Sequence, residues 1–528
     1  MIAAILAVGV PAWTRVSTFS GSLRTALLQF AKLQFIVIAL ALGGCVSPVG
    51  PTATPETDMS VATIPSGIGG PCDHYVDNTA KDNGDGARNR PWKTIHDHVV
   101  ELLPGKSVCV RGDSMLPGRV YTDYIHLEGG SAANGTAERP ITLRAFPGEK
   151  VIIRSPDRPL LRFQEVAYWR VEGFVFDGEG HRGNIVEILG GAHHNVLRSC
   201  ELTSAAGYGV RLEHGDYNLI ENCRIHGFDR GPYDDAHGIL LTDGTGNIMS
   251  HNEIYDATGD AIQLIHGSSQ GTVIEGNHLY TTLGPCSENA IDIKDIGRGW
   301  SQPQQTVVRR NLMHGFRRND GHCGGDGSGG VAVMVHFDAD NILFEQNTIY
   351  DSNEGFIFQR KESSGNHSPD NIILRNNLIH NLYDEGQAED GYGIYMGHVT
   401  NFQLYHNTFV AIPGPWLIVG PGVRDFDMYN NLVYNAGEWV KEAEFLSSTF
   451  DYNGWFNVHN PPRAPHDITG SDPLFVNEAN RDYHLQEKSL AVNAGVVLSV
   501  MEDLDGKPRW DRRPDLGAYE FQPAPQQP

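Results

Sequence analysis

Met249-Ser250-His251-Asn252-Glu253-Ile254-Tyr255, Ile274-Glu275-Gly276-Asn277-His278-Leu279-Tyr280 and Leu374-Arg375-Asn376-Asn377-Leu378-Ile379-His380 are copies of one short pattern. An apolar residue is followed, after two variable positions, by Asn, then a variable position, an apolar residue and often Tyr or His. Six further copies place Cys200, Cys223, Asn311, Asn347, Asn407 and Asn431 at the same position. Successive copies lie 23, 29, 25, 34, 36, 30, 30 and 24 residues apart. A variable period of this size, with short alternating strands, marks a β-solenoid whose loops absorb the insertions. Asparagine recurring at one turn position stacks from coil to coil, its amides bonding along the stack and satisfying backbone groups at a bend. The spacing predicts about ten to twelve coils.

Between ladder positions lies a second strand whose alternation turns Val210, Ile239, Ile262, Ile291, Val333, Phe356 and Ile394 inward. The other residues of these strands line up outside as columns. With coils about 4.8 Å apart, side chains two coils away are within roughly 10 Å. Asp260, Asp292, Lys294 and His336 are therefore expected to converge on one patch, with Arg360, Lys361 and His398 at its rim. His237 and His336 are candidate acids, bases or sugar contacts. Arg211, Asn289 and Gln359 are candidate sugar contacts, and Tyr392 and Tyr395 a stacking surface.

Over the whole chain, glycine is abundant at 60 residues and the formal charge is -24. That charge disfavours nucleic acid, since nothing offsets phosphate repulsion. It also means that an anionic sugar needs a local basic patch or a cation to hold it. The apolar run from Leu33 to Leu42, with Arg24 and Lys32 before it and Leu42-Gly43-Gly44-Cys45 after it, reads as an export signal. Its ending resembles the bacterial lipobox, which implies lipidation of Cys45 and an outer-membrane lipoprotein of the cell envelope. The expected organisation is a signal over 1–45 and a Pro/Ser/Thr/Gly tether over 46–70. A β-helix over 71–521 and a disordered tail over 522–528 follow. Export permits disulfides. The pairs expected are Cys72 with Cys109, Cys200 with Cys223 and Cys286 with Cys323, although sequence alone does not choose among the pairings six cysteines allow.

Flanking motifs carry a resemblance. Tyr75-Val76-Asp77, Pro91-Trp92-Lys93-Thr94-Ile95 and Pro104-Gly105-Lys106-Ser107-Val108 open the domain. Arg139-Pro140-Ile141-Thr142 and Pro147-Gly148-Glu149-Lys150-Val151 follow. Asp472-Pro473-Leu474-Phe475, Asn493-Ala494-Gly495 and Asp515-Leu516-Gly517-Ala518-Tyr519-Glu520 close it. With the repeats, these resemble the pectate lyase-like superfamily. The resemblance implies an all-β, single-stranded, right-handed parallel β-helix with an N-terminal capping helix over Trp92 to Leu103.

Asn289-Ala290-Ile291-Asp292-Ile293-Lys294 resembles the lysine-bearing strand of pectate lyase family nine. Gly259-Asp260-Ala261-Ile262-Gln263 resembles part of that family's calcium-binding strand, with Gln263 where a further aspartate is expected. This implies calcium-assisted β-elimination on an acidic polysaccharide by a monomer. Lys294 would be the base, and Asp260, Gln263 and Asp292 would be metal ligands. Lys294 after Glu288 is also similar to polysaccharide lyase family six, but His336 stands where that family has arginine. Asp292 and Asp295 should raise the lysine pKa, against a base role, unless a cation neutralises them. Competing readings are a non-catalytic glycan-binding or envelope protein, and a glycoside hydrolase or C5-epimerase on the same scaffold. Asp234-Asp235 resembles the carboxylate pair of β-helix hydrolases, without that group's other signatures. Phosphate-loop, HExxH and CxxC motifs are absent.

Overall fold

The computed structural model describes residues 71–523, apart from 116, 156–158, 230–234, 298–303, 318–328, 360–367, 385–390, 442–445 and 510–512. All belong to one compact unit, Ile64–Pro528; the other unit, Met1–Thr63, lies outside them, as do Cys45 and the tether. No helix among the described residues is long and apolar enough to cross a membrane.

Three long parallel sheets wind around one core. Sheet one has 14 strands, from His74–Val76 to Leu446–Asp451; sheet two has 14, from Arg119–Tyr121 to Ile468–Gly470; sheet three has 12, from Ile125–Glu128 to Trp439–Lys441. Each coil visits them in that order, as in Ile248–Ser250, Glu253–Ala257 and Ile262–Ile265. Twelve coils are complete, one for each strand of sheet three. Inward residues of the stacked coils join one apolar cluster running from Val76 to Trp455. The alternation read from the sequence is what fills it.

The corner between sheets one and two is built from two residues. The first is left-handed, as at His251 (φ 54°), Gln346 (φ 56°), Asn376 (φ 52°), His406 (φ 54°) and Asn430 (φ 58°), which turns the chain sharply. The second is the ladder residue. Asn252 Nδ2 donates back to Ile220 O at 3.0 Å and forward to Asn277 Oδ1 at 3.0 Å, while the Asn252 N–H reaches the same Oδ1 at 2.9 Å. The scheme continues through Asn311, Asn347, Asn377, Asn407 and Asn431. It then passes Asn453, one coil beyond the sequence reading, and ends where the Asn453 N–H meets Asp467 Oδ1 at 2.9 Å. A second, shorter ladder, Asn195–Asn218–Asn247, fills the corner from sheet three back to sheet one.

The Cys200–Cys223 disulfide is not formed; both are buried free thiols. They occupy amide places in the main ladder and point at carbonyls: Cys200 Sγ lies 3.3 Å from Arg198 O, and Cys223 Sγ 3.4 Å from Glu221 O. Cys72 and Cys109 are disulfide-bonded across 37 residues, a closure worth about 4 kcal/mol on chain-entropy grounds. Cys286 is disulfide-bonded, while Cys323 lies outside the described residues. The N-terminal helix is one turn, His96–Val99, not the stretch from Trp92 to Leu103. Ile95, Val99 and Leu102 are buried but Leu103 is exposed. Two histidines and paired valines give the segment too little propensity to propagate beyond that anchor.

At the far end an antiparallel hairpin, Phe475–Asn477 with Asp482–Leu485, packs beside sheet two. The chain then staples four consecutive corners. Gln346 donates to Asp503 O, and Asn376 Nδ2 to Glu502 O at 2.6 Å. The Ala518 N–H reaches Thr408 Oγ1 at 2.8 Å, and Asn430 Nδ2 reaches Val496 O at 2.7 Å. A buried Arg509–Glu520 pair, 2.7 Å apart, anchors the staple.

Candidate active site

Register on sheet three places Leu240, Gln263, Asp292, Met334, Ile357 and Tyr395 in one outward column. Thr242, Ile265, Lys294, His336 and Gln359 form the next. His237, Asp260 and Asn289 sit just before the strands. Period-two alternation, interrupted by no bulge in the Ile262–Ile265 and Ile291–Lys294 pairing, holds these groups at coil spacing.

Two linked networks result. In the deeper one, Asp260 is 0% exposed and accepts from Gln263 Nε2 at 2.7 Å on one oxygen and from Asn289 Nδ2 at 2.9 Å on the other. Asn289 Oδ1 accepts the Val331 N–H at 3.3 Å, tying this strand to the next. The Asp260 N–H donates to His237 Nδ1 at 2.9 Å, so that nitrogen is an acceptor and the neutral ring carries its proton on Nε2. Tyr208 stacks on His237 with centroids 5.3 Å apart. Gly259 makes room for the ring: a Cβ there would sit 2.7 Å from His237 Nδ1.

The outer network is charged. Lys294 Nζ lies 2.7 Å from Asp292 Oδ2, and His336 Nε2 lies 3.0 Å from Asp292 Oδ1. The second approach is close in distance but not aligned as a hydrogen bond. Side-chain exposure is 20% for Lys294, 10% for His336 and 3% for Asp292, so Lys294 and His336 cover the acid. Burial, reinforced by Glu288 and Asp292, pushes the Asp260 carboxyl well above the usual range. Burial also opposes charge on Asp292, but His336 and Lys294 outweigh it and lower its pKa. Lys294 is likewise penalised by burial, yet Asp292, Asp260 and Glu288 raise its pKa.

Other expected residues lie apart from this contact set. Arg211, two strands before Gln263 in the same column, pairs with Glu213. Gln359 Nε2 lies 3.9 Å from Met334 Sδ. Tyr392 is buried with Val331 and Ile357, packed by Met334, Tyr395 and Ile418, so the face turns apolar just past His336. Arg360 lies outside the described residues. The sequence reading missed the Tyr208–His237 stack and the burial of Glu354 beside Val331. The Tyr208 stack was legible in principle, because Tyr208 and His237 occupy equivalent places before successive strands.

The residues implied as calcium ligands do not make a calcium shell. That ion takes about six to eight oxygens. Here both Asp260 oxygens accept amides, Gln263 turns its nitrogen to Asp260, and Asp292 is shared by Lys294 and His336. Among the described residues no group of three or more His, Cys, Asp or Glu side chains is placed to hold a metal ion.

Comparison with known proteins gives a family match over residues 179–295 to the right handed beta helix region. The chain is 21% identical over 467 residues to the uncharacterized protein YwoF of Bacillus subtilis, covering 79% of this chain and 91% of that one. It is 23% identical over 232 residues to pectate lyase PEL9 of Emericella nidulans, covering 40% of this chain and 48% of that one. Among solved structures, pectate lyase Pel9A superposes with a TM-score of 0.44 at 14% identity, covering 85% of this chain and 96% of that one. The matched segment spans the ladder coils from Cys200 to Asn277 and the strand carrying Lys294. With three parallel sheets wound around one core, the chain is a right-handed parallel β-helix protein.

Proposed function

We propose that this protein cleaves a uronate-containing polysaccharide by β-elimination on the outer face of sheet three. One observation carries the reading. Lys294, Asp292 and His336, on adjacent strands in register, form a partly exposed ammonium–carboxylate–imidazole set over a buried acid, Asp260. β-Elimination needs a base for the proton beside the uronate carboxylate and a positive group to hold that carboxylate as charge builds. An imidazole and an ammonium one coil apart, about 4.8 Å, supply both within reach of one sugar ring. The partial likeness to a fungal pectate lyase points the same way. Export and anchoring through Cys45 would place the site outside the cell, where such polymers are found.

The test is incubation of the purified full chain with pectate, alginate and glycosaminoglycans, following the ultraviolet absorbance of the unsaturated uronate. Calcium and a chelator form parallel arms. A rise on one polymer supports the proposal and names the sugar. Reducing ends without that absorbance would indicate hydrolysis instead, and binding without cleavage a glycan-binding role.

A further inference from the structure

We infer that His336 is the base of this site and that Lys294 is the fixed clamp for the uronate carboxylate, the two held in those roles by Asp292. The assignment rests on the β-elimination reading above and reverses the role the sequence resemblance gives to Lys294.

The geometry supplies three reasons. First, Lys294 is ringed by acid. Its Nζ lies 2.7 Å from Asp292 Oδ2, and Asp260 and Glu288 add to the field at the same ammonium. Removing its proton would leave three carboxylates facing one another with less compensation, so the ammonium is held. Second, His336 turns Nε2 to the other Asp292 oxygen. A carboxylate 3.0 Å from Nε2, close though not aligned as a hydrogen bond, favours the proton on that nitrogen and so leaves the lone pair on Nδ1. Gln359, its register partner on the following strand, brings no charge. Third, the other imidazole is disqualified. His237 already spends its Nδ1 lone pair on the Asp260 N–H, and its ring is stacked on Tyr208. Within the two networks Lys294 is the more open, at 20% side-chain exposure, and His336 follows at 10%; they are direct partners across adjacent strands.

The step balances without an added reactant. The uronate carboxylate binds Lys294. His336 Nδ1 takes the proton from the carbon beside that carboxylate, and the released electron pair forms the carbon–carbon double bond. The neighbouring carbon–oxygen bond breaks, and its pair leaves with the glycosidic oxygen. The proton on the imidazolium passes to that oxygen, restoring neutral His336. Nothing is oxidised or reduced.

The experiment compares wild type, Lys294→Arg, Lys294→Met, His336→Gln and His336→Ala in the unsaturated-uronate assay, with circular dichroism and melting as fold controls. His336→Gln should lower kcat by about 10²–10⁴-fold, as loss of a general base does. Free imidazole should restore His336→Ala at least about tenfold, a rescue that a structural histidine would not show. Lys294→Arg keeps the charge and should retain measurable kcat with a raised KM, whereas Lys294→Met should lose both. Chelator should leave the wild-type rate unchanged. A folded Lys294→Arg with no activity beside an active His336→Gln would overturn the assignment while the lyase reading stands. Strict calcium dependence would also remove Lys294 from its clamp role. A folded wild type that yields no unsaturated product on any uronate polymer would sink the lyase reading, and this assignment with it.

Discussion

The asparagine ladder and the outer face of sheet three both bury polar side chains at coil spacing, but they satisfy them differently. In the ladder one residue type recurs, and each amide completes its neighbour while its second N–H meets a backbone carbonyl. On sheet three the residue type changes at every coil: His237, Asp260, Asn289 and then Val331. The result is a crowd of acids held by one ammonium and two imidazoles. Repetition gives stability without chemistry, whereas broken repetition leaves charge that only a ligand or a proton can balance.

Breaking the ladder should have the largest effect. Asn347→Ala strips the donor to Val308 O and Asn377 Oδ1, and the acceptor for both Asn311 donors. With each orphaned buried group costing about 1–3 kcal/mol, the loss should exceed about 3 kcal/mol in a urea titration. Lys294→Met should cost less, about 1–3 kcal/mol, because Asp292 keeps His336 and the site is partly open to water. Adding Asp292→Leu should recover most of that loss; no recovery would mean the pair is not what stabilises this strand.

Asp260→Asn tests the charge excess directly. Because the folded-state pKa of Asp260 is raised, its contribution to stability falls as pH climbs from the unfolded carboxylate value of about 3.9 toward the raised one. The amide does not titrate but turns a donor toward one of the two amides that Asp260 accepts, so the melting temperature of the variant relative to wild type should rise between pH 4 and pH 7. Asp292 has the opposite sign. Its lowered pKa contributes stability that is full above the unfolded value and lost as pH falls through the folded one. The smallest effect is expected from Cys200→Asn with Cys223→Asn, which would extend the ladder and raise stability by about 1 kcal/mol.

How much could be read beforehand follows from the same contrast. The main ladder was legible because its pattern recurs, and the outward columns because strands alternate. The Asn195–Asn218–Asn247 ladder repeats the spacings 23 and 29 of its neighbour and was overlooked because three copies make a weak pattern beside nine. The thiols of Cys200 and Cys223 were misread because a shared column suits a stacked pair and a disulfide equally until side-chain direction is known. The short helix escaped because burial of Ile95, Val99 and Leu102 fits one turn or three. At the site, the sequence supplied the residues but not their roles. Whether Asp260 faces an ion or two amides depends on the rotamers of Gln263 and Asn289, which no spacing encodes.

The C-terminal staple has a consequence for the order in which the molecule is made. A solenoid of nearest-neighbour coils can assemble as it leaves the ribosome, each coil settling on the one before. The corners at Gln346, Asn376, Thr408 and Asn430 break that rule, since their partners lie between Val496 and Ala518. These coils remain unfinished until the chain has been synthesised as far as Ala518. A message truncated shortly before that point would release a polypeptide with the coils that carry Lys294 and His336 stacked but its last corners open, a ready substrate for proteolytic quality control.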